Sequence, residues 1–471
     1  MFLRQIPDHA LAQYAYLIGC QRTGEAIIID PERDVDRYFE VAAANDLRIT
    51  AVAETHIHAD YLSGARELVE RHGAVAFLGE EGGPDWQFEW AKGKSAVRFL
   101  KHGDEFHVGN IRFKALHTPG HTPEHVSFLV WDDGGGADQP IALLTGDFIF
   151  VGDVGRPDLL ESAAGQAGAM EPSARTLYAS LRGTAELPDH LQILPAHGAG
   201  SACGKALGAV PVSVLGYERK FNAPLREAMN AGEDAFVSHI LHGQPEPPKY
   251  FARMKRDNKE GPKLLSQGKL PQPDALYASG LAAWLEAVPT AILDLRADAN
   301  AFAARHLRGA IHAPLKGGKL PIAAGSYLED DARILLVAES QSEVDEAVRQ
   351  LVRIGYDHIA GWITVVEALA SDAKLEKLKS MDPKHLSGGL SVLDVRGAGE
   401  FAAGHVKGAV NIAHTRLAAR IYDLPKGDTL HVHCAGGARA AMAASFLAST
   451  GRDVVWMNGR FADIPESLIG H

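Results

Sequence analysis

Residues 55–64 read Thr-His-Ile-His-Ala-Asp-Tyr-Leu-Ser-Gly, and this stretch decides how the first half of the chain is read. It follows the apolar, β-rich run ITAVAE (49–54) and precedes the helix-like ARELVERHG. Two histidines and a carboxylate within five residues at a strand-to-helix turn can converge on one point. Three other places match it. His117-Thr-Pro-Gly-His121-Thr-Pro-Glu-His125 lies in a turn that Pro119 and Gly120 fix and bend. Asp147 follows the apolar strand IALLTG, and His197 follows ILPA. Four strand ends that supply imidazole or carboxylate build a metal site from loops distant in sequence. His102 and His107 lie outside this pattern and are read as ordinary surface or core histidines.

Around this constellation, strand-like runs (YAYLIGC, AIIID, HVSFLVW) alternate with helix-like ones, among them 34–45. The stretch VRFLKHGDEFHVGNIRFKALH (97–117) reads as hairpins. The pattern predicts an α/β layered domain over 1–245. Residues 246–264 are rich in Pro, Lys and Glu and read as a linker.

The C-terminal half carries an internal repeat. Residues 292–311 read ILDLRADANAFAARHLRGAI, and 392–410 read VLDVRGAGEFAAGHVKGAV. ILLVAE (334–339) echoes LHVHCA (430–435), and a helical stretch follows in each copy. Two small α/β domains with parallel sheets are predicted, over 265–375 and 384–471. In the second copy a β-like run ends at Cys434, and a glycine-rich loop, Arg439 and an Ala-rich helix follow. Backbone N–H groups of such a loop and helix start favour a thiolate or a persulfide anion on the sulfur. In the first copy the matching position is Ala338, so this copy cannot carry sulfur in the same way.

Composition bounds the rest. The chain has 471 residues, 22 histidines and three cysteines, Cys20, Cys203 and Cys434. Three thiols cannot all pair with one another, which points to a reducing, cytoplasmic setting. A net charge of −12 argues against nucleic acid and against an anionic membrane surface. Asp8 and His9 interrupt the N-terminal apolar run, so it reads as mature protein. No run of about 18 apolar residues exists that would span a membrane.

THIHADYLSG, TPGHTPEH, LTGD and PAHG together resemble the metallo-β-lactamase fold, in the branch near glyoxalase II and the persulfide dioxygenases. The resemblance implies an αββα sandwich over about 1–240 with its metal at one sheet edge. Glyoxalase-II-like hydrolases read His-x-His-x-Asp-His, and here the last position is Tyr61, which argues for one metal. The persulfide dioxygenase pattern, carried over, implies a mononuclear Fe(II) on His56, His121 and Asp147, with zinc as the alternative. His58, Asp60 and His197 would orient ligands or bound water. GDVGRPDL (152–159) resembles the same branch. Arg156 in it either faces an anionic substrate or pairs within the loop, and Asp153 is open in the same way. Cys203, six residues after His197, is a candidate sulfur relay or a quiet buried thiol, and Cys20 reads as core.

The second repeat resembles a rhodanese domain. Cys434 to Arg439 spans six residues, the loop length of sulfurtransferases, which implies Cys434 and Arg439 as its catalytic residues. Asp394 and Arg396 resemble the internal structural pair of that family. The first repeat looks like a degenerate rhodanese domain kept for architecture, packing or docking. The combination implies dioxygenation of a thiol persulfide such as glutathione persulfide to sulfite, with O₂ as co-substrate and sulfur transfer giving thiosulfate. The alternatives are a zinc thioesterase with an appended sulfurtransferase, and a non-catalytic sulfane-sulfur carrier or sensor. A homodimer or homotetramer is expected.

Overall fold

The computed structural model describes residues 1–162, 167–425 and 429–470. They form two compact units, 1–247 with 251–269, and 248–250 with 270–471. No helix among the described residues is long and apolar enough to cross a membrane.

The first unit contains two six-stranded sheets. One runs β1 (Phe2–Asp8), β2 (Gln13–Cys20), β3 (Glu25–Ile29), β4 (Arg48–Ala53), β5 (Val75–Gly79) and β6 (Val97–Leu100), in that order. The other comprises β7 (Glu105–Val108), β8 (Ile111–His117), β9 (Val126–Asp132), β10 (Ala142–Gly146), β11 (Gln192–Pro195) and β12 (Ser213–Val214). Its spatial order is the reverse, β12 to β7. The stretch 97–117 therefore splits: β7 and β8 form a hairpin, while β6 pairs parallel with β5 in the other sheet.

Side-chain alternation makes the layers. Phe128 and Val130 of β9 join Tyr16, Ile18, Ile27 and Ile29 in the core between the sheets. Leu129 and Trp131 point the other way, onto Leu177 and Leu181 of the helix Met170–Gly183 and onto Phe236 and Val237. On the far side, Leu17, Ile28 and Val52 pack against Tyr38 and Leu68 of two helices. Each central strand is buried on both faces, so it reads as a near-continuous apolar run. This is the αββα sandwich.

The connector expected at 246–264 is corrected by the structure. It carries the helix Phe251–Glu260, which belongs to the first unit. Phe251, Met254 and Asn258, spaced i, i+3, i+7, form its buried stripe. Its many Lys, Arg and Glu residues concealed that stripe.

The second unit repeats one architecture twice. In the first copy the all-parallel sheet runs 274–275, 359–364, 334–338, 291–294, 310–312. In the second it runs 379–381, 454–457, 430–433, 391–394, 410–411, again all parallel. The repeated residues are those that close each copy. Arg296 grips Asp294 at 2.7 Å and the carbonyls of Ala301 and Arg305. Arg396 grips Asp394 at 2.6 Å and the carbonyl of Gly404. Phe302 stacks on His306 with centroids 4.1 Å apart, and Phe401 on His405 at 4.0 Å. Asp394 is fully buried, so Asp394→Ala strands a buried guanidinium. It is expected to destabilise this unit by about 3–5 kcal/mol, read by denaturant titration.

Candidate metal centre and sulfur loop

The turns after β4, β8, β10 and β11 bring the histidine constellation together at one edge of the sandwich. His56, His121 and Asp147 each offer one ligand atom, and these atoms lie within 4.8 Å of one another. His121 Nε2 is 3.4 Å and His56 Nε2 3.9 Å from Asp147 Oδ2. The two imidazoles stand edge-on, with centroids 5.0 Å apart.

Each ligand is held from behind. His121 Nδ1 bonds the carbonyl of Arg156 at 3.0 Å. His56 Nδ1 bonds Thr55 Oγ1 at 2.9 Å, and that hydroxyl donates to Asp30 Oδ2 at 2.9 Å. The backbone N–H of Asp147 donates to His125 Nε2 at 3.1 Å. With Nδ1 engaged, each imidazole turns Nε2 to the centre. Gly155 makes the close approach possible, because a Cβ there would lie 1.8 Å from the Asp147 carbonyl oxygen.

The electrostatics suit a cation. Burial holds the His121 imidazole down at about 4, and burial together with neighbouring imidazoles holds His56 well below its usual range. Both are therefore neutral and ready to ligate. Burial pushes the Asp147 carboxyl up to about 6. Both of its oxygens are buried without a hydrogen-bond partner. A carboxylate desolvated in this way is costly unless a cation balances it. The residues present fit a divalent metal.

Two further groups flank this one. Asp60, His197 and Cys203 form the first, all buried. His197 Nε2 lies 3.3 Å from Asp60 Oδ2 and 3.5 Å from Asp147 Oδ1. Burial raises the Cys203 thiol well above its usual range and the Asp60 carboxyl to about 6. Asp30, Glu54 and His58 form the second. His58 turns Nε2 onto Glu54 at 3.0 Å and Asp30 at 3.2 Å, while its ring packs against that of His56 with centroids 4.1 Å apart. Burial opposes its protonation, but the two carboxylates outweigh that and hold it well above the usual imidazole range. The Tyr61 hydroxyl donates to the carbonyl of Asp30 at 3.2 Å and accepts from Gln13.

Other residues singled out in the sequence have structural roles. Arg156 does not face a substrate. It is fully buried, pairs with Asp158 at 2.7 Å, and donates to the carbonyls of Ala202 and Pro245. It is a loop clamp whose own carbonyl orients His121. Asp153 likewise closes its loop, accepting the N–H groups of Lys205 and Ala206. Cys20 packs between the sheets, as expected. Burial raises its thiol, but N–H donors from Asn110, Thr23 and Arg22 prevail and bring it down to about 7.

Sequence reasoning missed Asp30, Glu54, Glu124 and Asn258. Asp30 is the hub of the His56 turn, with a left-handed φ of 51° and bonds to Thr55 N, Thr55 Oγ1 and His58. Its signal was available: it is a carboxylate at the end of AIIID, as Asp147 is at the end of IALLTG. Glu124 accepts the N–H of Ile57 at 2.6 Å. Asn258 donates to the carbonyls of His58 and Tyr61 from the helix hidden in the connector, where no local signal marks it.

In the second unit, Cys434 follows the strand Leu430–His433 and precedes the helix Ala438–Ser449. Its Sγ accepts the N–H of Gly437 at 3.1 Å and of Ala440 at 3.4 Å. Gly437 has φ 91°, a conformation that favours glycine, and the Trp456 indole N–H fixes its carbonyl. Arg439 lies beside the sulfur but is tied to Glu400 by two bonds of 2.7 and 2.8 Å. In the first copy Ala338 ends the strand and Ser340 caps the helix Gln341–Arg353 directly. No sulfur cradle forms there among the described residues.

Comparison with known proteins adds the lineage. The metallo-beta-lactamase superfamily model matches residues 10–197, and the rhodanese-like domain model matches 373–464. A human hydroxyacylglutathione hydrolase-like protein is 31% identical over 39% of this chain, and the match spans just over half (55%) of that protein. A metallo-beta-lactamase structure from Staphylococcus aureus subsp. aureus COL is 39% identical, with TM-score 0.66, over 77% of this chain and 99% of that one. The structure of ETHE1 from Myxococcus xanthus is 28% identical, with TM-score 0.44, over 55% and 98%. The order of strands, the convergent His and Asp turns, the two family models and the Staphylococcus aureus structure together place the chain in the metallo-beta-lactamase superfamily, with a rhodanese-like domain at its C-terminal end.

Proposed function

We propose that the first unit is a mononuclear iron dioxygenase of thiol persulfides such as glutathione persulfide, coupled to sulfur transfer at Cys434. The carrying observation is the donor set: two neutral imidazoles and one orphaned carboxylate, buried together, in a chain that also cradles a thiol. A two-His-one-carboxylate face suits non-haem Fe(II) and leaves positions open. Iron bound there supplies activation of O₂ and a seat for a sulfur anion.

The chain's own residues do the rest. Thr55 and the Arg156 carbonyl hold the imidazoles, and burial excludes bulk water. The outer sulfur is oxidised, O₂ is reduced, and water supplies the third oxygen of sulfite as the thiol leaves. At Cys434 the thiolate attacks the outer sulfur of a second persulfide, forming the S–S bond of Cys434 persulfide and releasing thiolate. Sulfite then attacks that outer sulfur, leaving as thiosulfate and returning the Cys434 thiolate. The N–H donors of Gly437 and Ala440 hold the anion at each stage, and Arg439 draws the anionic partners.

One observation favours a second reading. Asp60, His197 and Cys203, with Asp147 shared, offer a place for another metal, and a thiolate suits zinc. That reading is a two-zinc thioesterase, in line with the hydroxyacylglutathione hydrolase-like relative. Anaerobic iron loading followed by oxygen-electrode assay on glutathione persulfide separates the two. One iron per chain with persulfide-dependent uptake is the expected result. Two zinc ions with thioester cleavage and no uptake would overturn it.

A further inference from the structure

Three consecutive residues that follow His121 tie the ligand turns to one another. The Glu124 carboxylate accepts the N–H of Ile57 at 2.6 Å. His125 Nε2 accepts the N–H of Asp147 at 3.1 Å. The N–H of Val126 donates to the carbonyl of Thr55 at 2.7 Å. Thr55 and Ile57 flank His56, so both peptide groups of that ligand are held by the segment that carries His121. The Val126 bond runs from backbone to backbone and asks little of the residue there. The Glu124 bond depends on one side chain.

Glu124 is placed for that bond. It is fully buried, and its Oε2 has no hydrogen-bond partner among the described residues. A carboxylate is costly to bury, so the contact that Oε1 makes to the ligand's own peptide stands out. Two glycines give it room. A Cβ at Gly79 would lie 2.5 Å from the Glu124 carbonyl oxygen, and one at Gly82 would lie 2.5 Å from Glu124 Cβ. A bond from an N–H to a carboxylate is among the stronger hydrogen bonds, so it holds the Ile57 peptide in one orientation.

We propose that Glu124 is a positioning residue of the metal centre. By fixing the Ile57 peptide from the turn that bears His121, it sets the His56 imidazole against the other two donors before a metal arrives. It acts through His56 and touches no metal itself. This rests on the reading of His56, His121 and Asp147 as one metal centre, and not on the reaction that a metal there performs.

The test uses the full chain with Co(II) as the probe, without oxygen, because Co(II) absorption bands report the arrangement of the donors. Glu124→Asp keeps the charge but withdraws the carboxylate by one methylene from the Ile57 N–H. Glu124→Gln loses the charge but keeps an oxygen in the place of Oε1. Competition against a chelator is expected to show about 10–100-fold weaker Co(II) binding in Glu124→Asp, with shifted bands, the loss that follows when a ligand's orienting partner is removed. Glu124→Gln should bind nearly as the unaltered chain does, with its bands in place. Leu181→Ala opens the core away from these turns and controls for lost stability; its affinity and bands should stay unchanged. Unaltered affinity and bands in Glu124→Asp would overturn the role. So would equal losses in Glu124→Asp and Leu181→Ala, since Glu124 then only supports the fold, or a Glu124→Gln chain as weak as Glu124→Asp, since the bond is then not what matters. An unaltered chain that binds no Co(II) would overturn the metal centre and this inference together. A chain that binds Co(II) as expected and yet oxidises no persulfide upholds the role of Glu124 and overturns the dioxygenase reading alone.

Discussion

His121→Ala is expected to remove bound metal and persulfide-dependent oxygen uptake together, while sulfur transfer at Cys434 persists. Among the described residues the imidazole is one of two that face Asp147 Oδ2, and its Nε2 is the closer, at 3.4 Å. Without it, one imidazole and one carboxylate remain, too few donors for a divalent transition metal against its water shell. The buried Asp147 carboxylate then loses its balancing cation, and burial, which raises it to about 6, leaves it costly to keep ionised. Altering a residue that merely orients a ligand costs about 10–100-fold in affinity, and loss of a ligand costs more. Oxygen uptake should therefore fall by more than about 100-fold. Thr55→Val gives a graded comparison. It removes the hydroxyl between His56 Nδ1 and Asp30 but leaves both imidazoles, so metal content should fall less. Iron analysis after anaerobic loading, with the oxygen electrode, reads both variants. Full iron in His121→Ala would show that the metal sits elsewhere, the Asp60–His197–Cys203 group being the obvious place.

Cys434→Ser is expected to show the converse. Oxygen uptake and sulfite release should continue, and thiosulfate formation should fall by at least about 100-fold, because a hydroxyl forms no persulfide. Serine fits the cradle of Gly437 and Ala440 N–H groups without strain, so the fold is preserved and the loss is chemical. Sulfite and thiosulfate measured in the same reaction give the ratio directly. An unchanged thiosulfate yield would remove Cys434 from the sulfur path.

The two variants divide the chain by chemistry. A donor set from three strand ends marks one half, and a thiol held by one loop marks the other. These differ in how well a sequence shows them. The sulfur loop is local: Cys434, Gly437, Arg439 and the Ala-rich helix are consecutive, and the backbone that cradles the sulfur belongs to the same ten residues. The metal ligands are distant from one another, yet each follows an apolar run that ends in a polar turn. Strands buried on both faces leave few other places for His or Asp, so the His- and Asp-bearing turns were legible one at a time, and the resemblance to the persulfide dioxygenases singled out His56, His121 and Asp147.

What surrounds those ligands was not. Arg156 carries a charge that suggests a substrate, and only packing shows it consumed by Asp158 and two carbonyls. Asn258 secures the His58 turn from about 200 residues away in sequence, and the Pro- and Lys-rich stretch around it reads as solvated chain. His58 reads as a group that orients ligands or bound water, and only packing shows that Asp30 and Glu54 claim its Nε2.

By itself the sequence determined the layers, the repeat, the His- and Asp-bearing strand ends and the sulfur loop, because periodicity, strand ends and short loops are local properties of a chain. The tertiary structure alone decided which polar groups face the centre and which are claimed by one another, because a buried charge takes whatever partner the packing brings to it, at any distance in sequence.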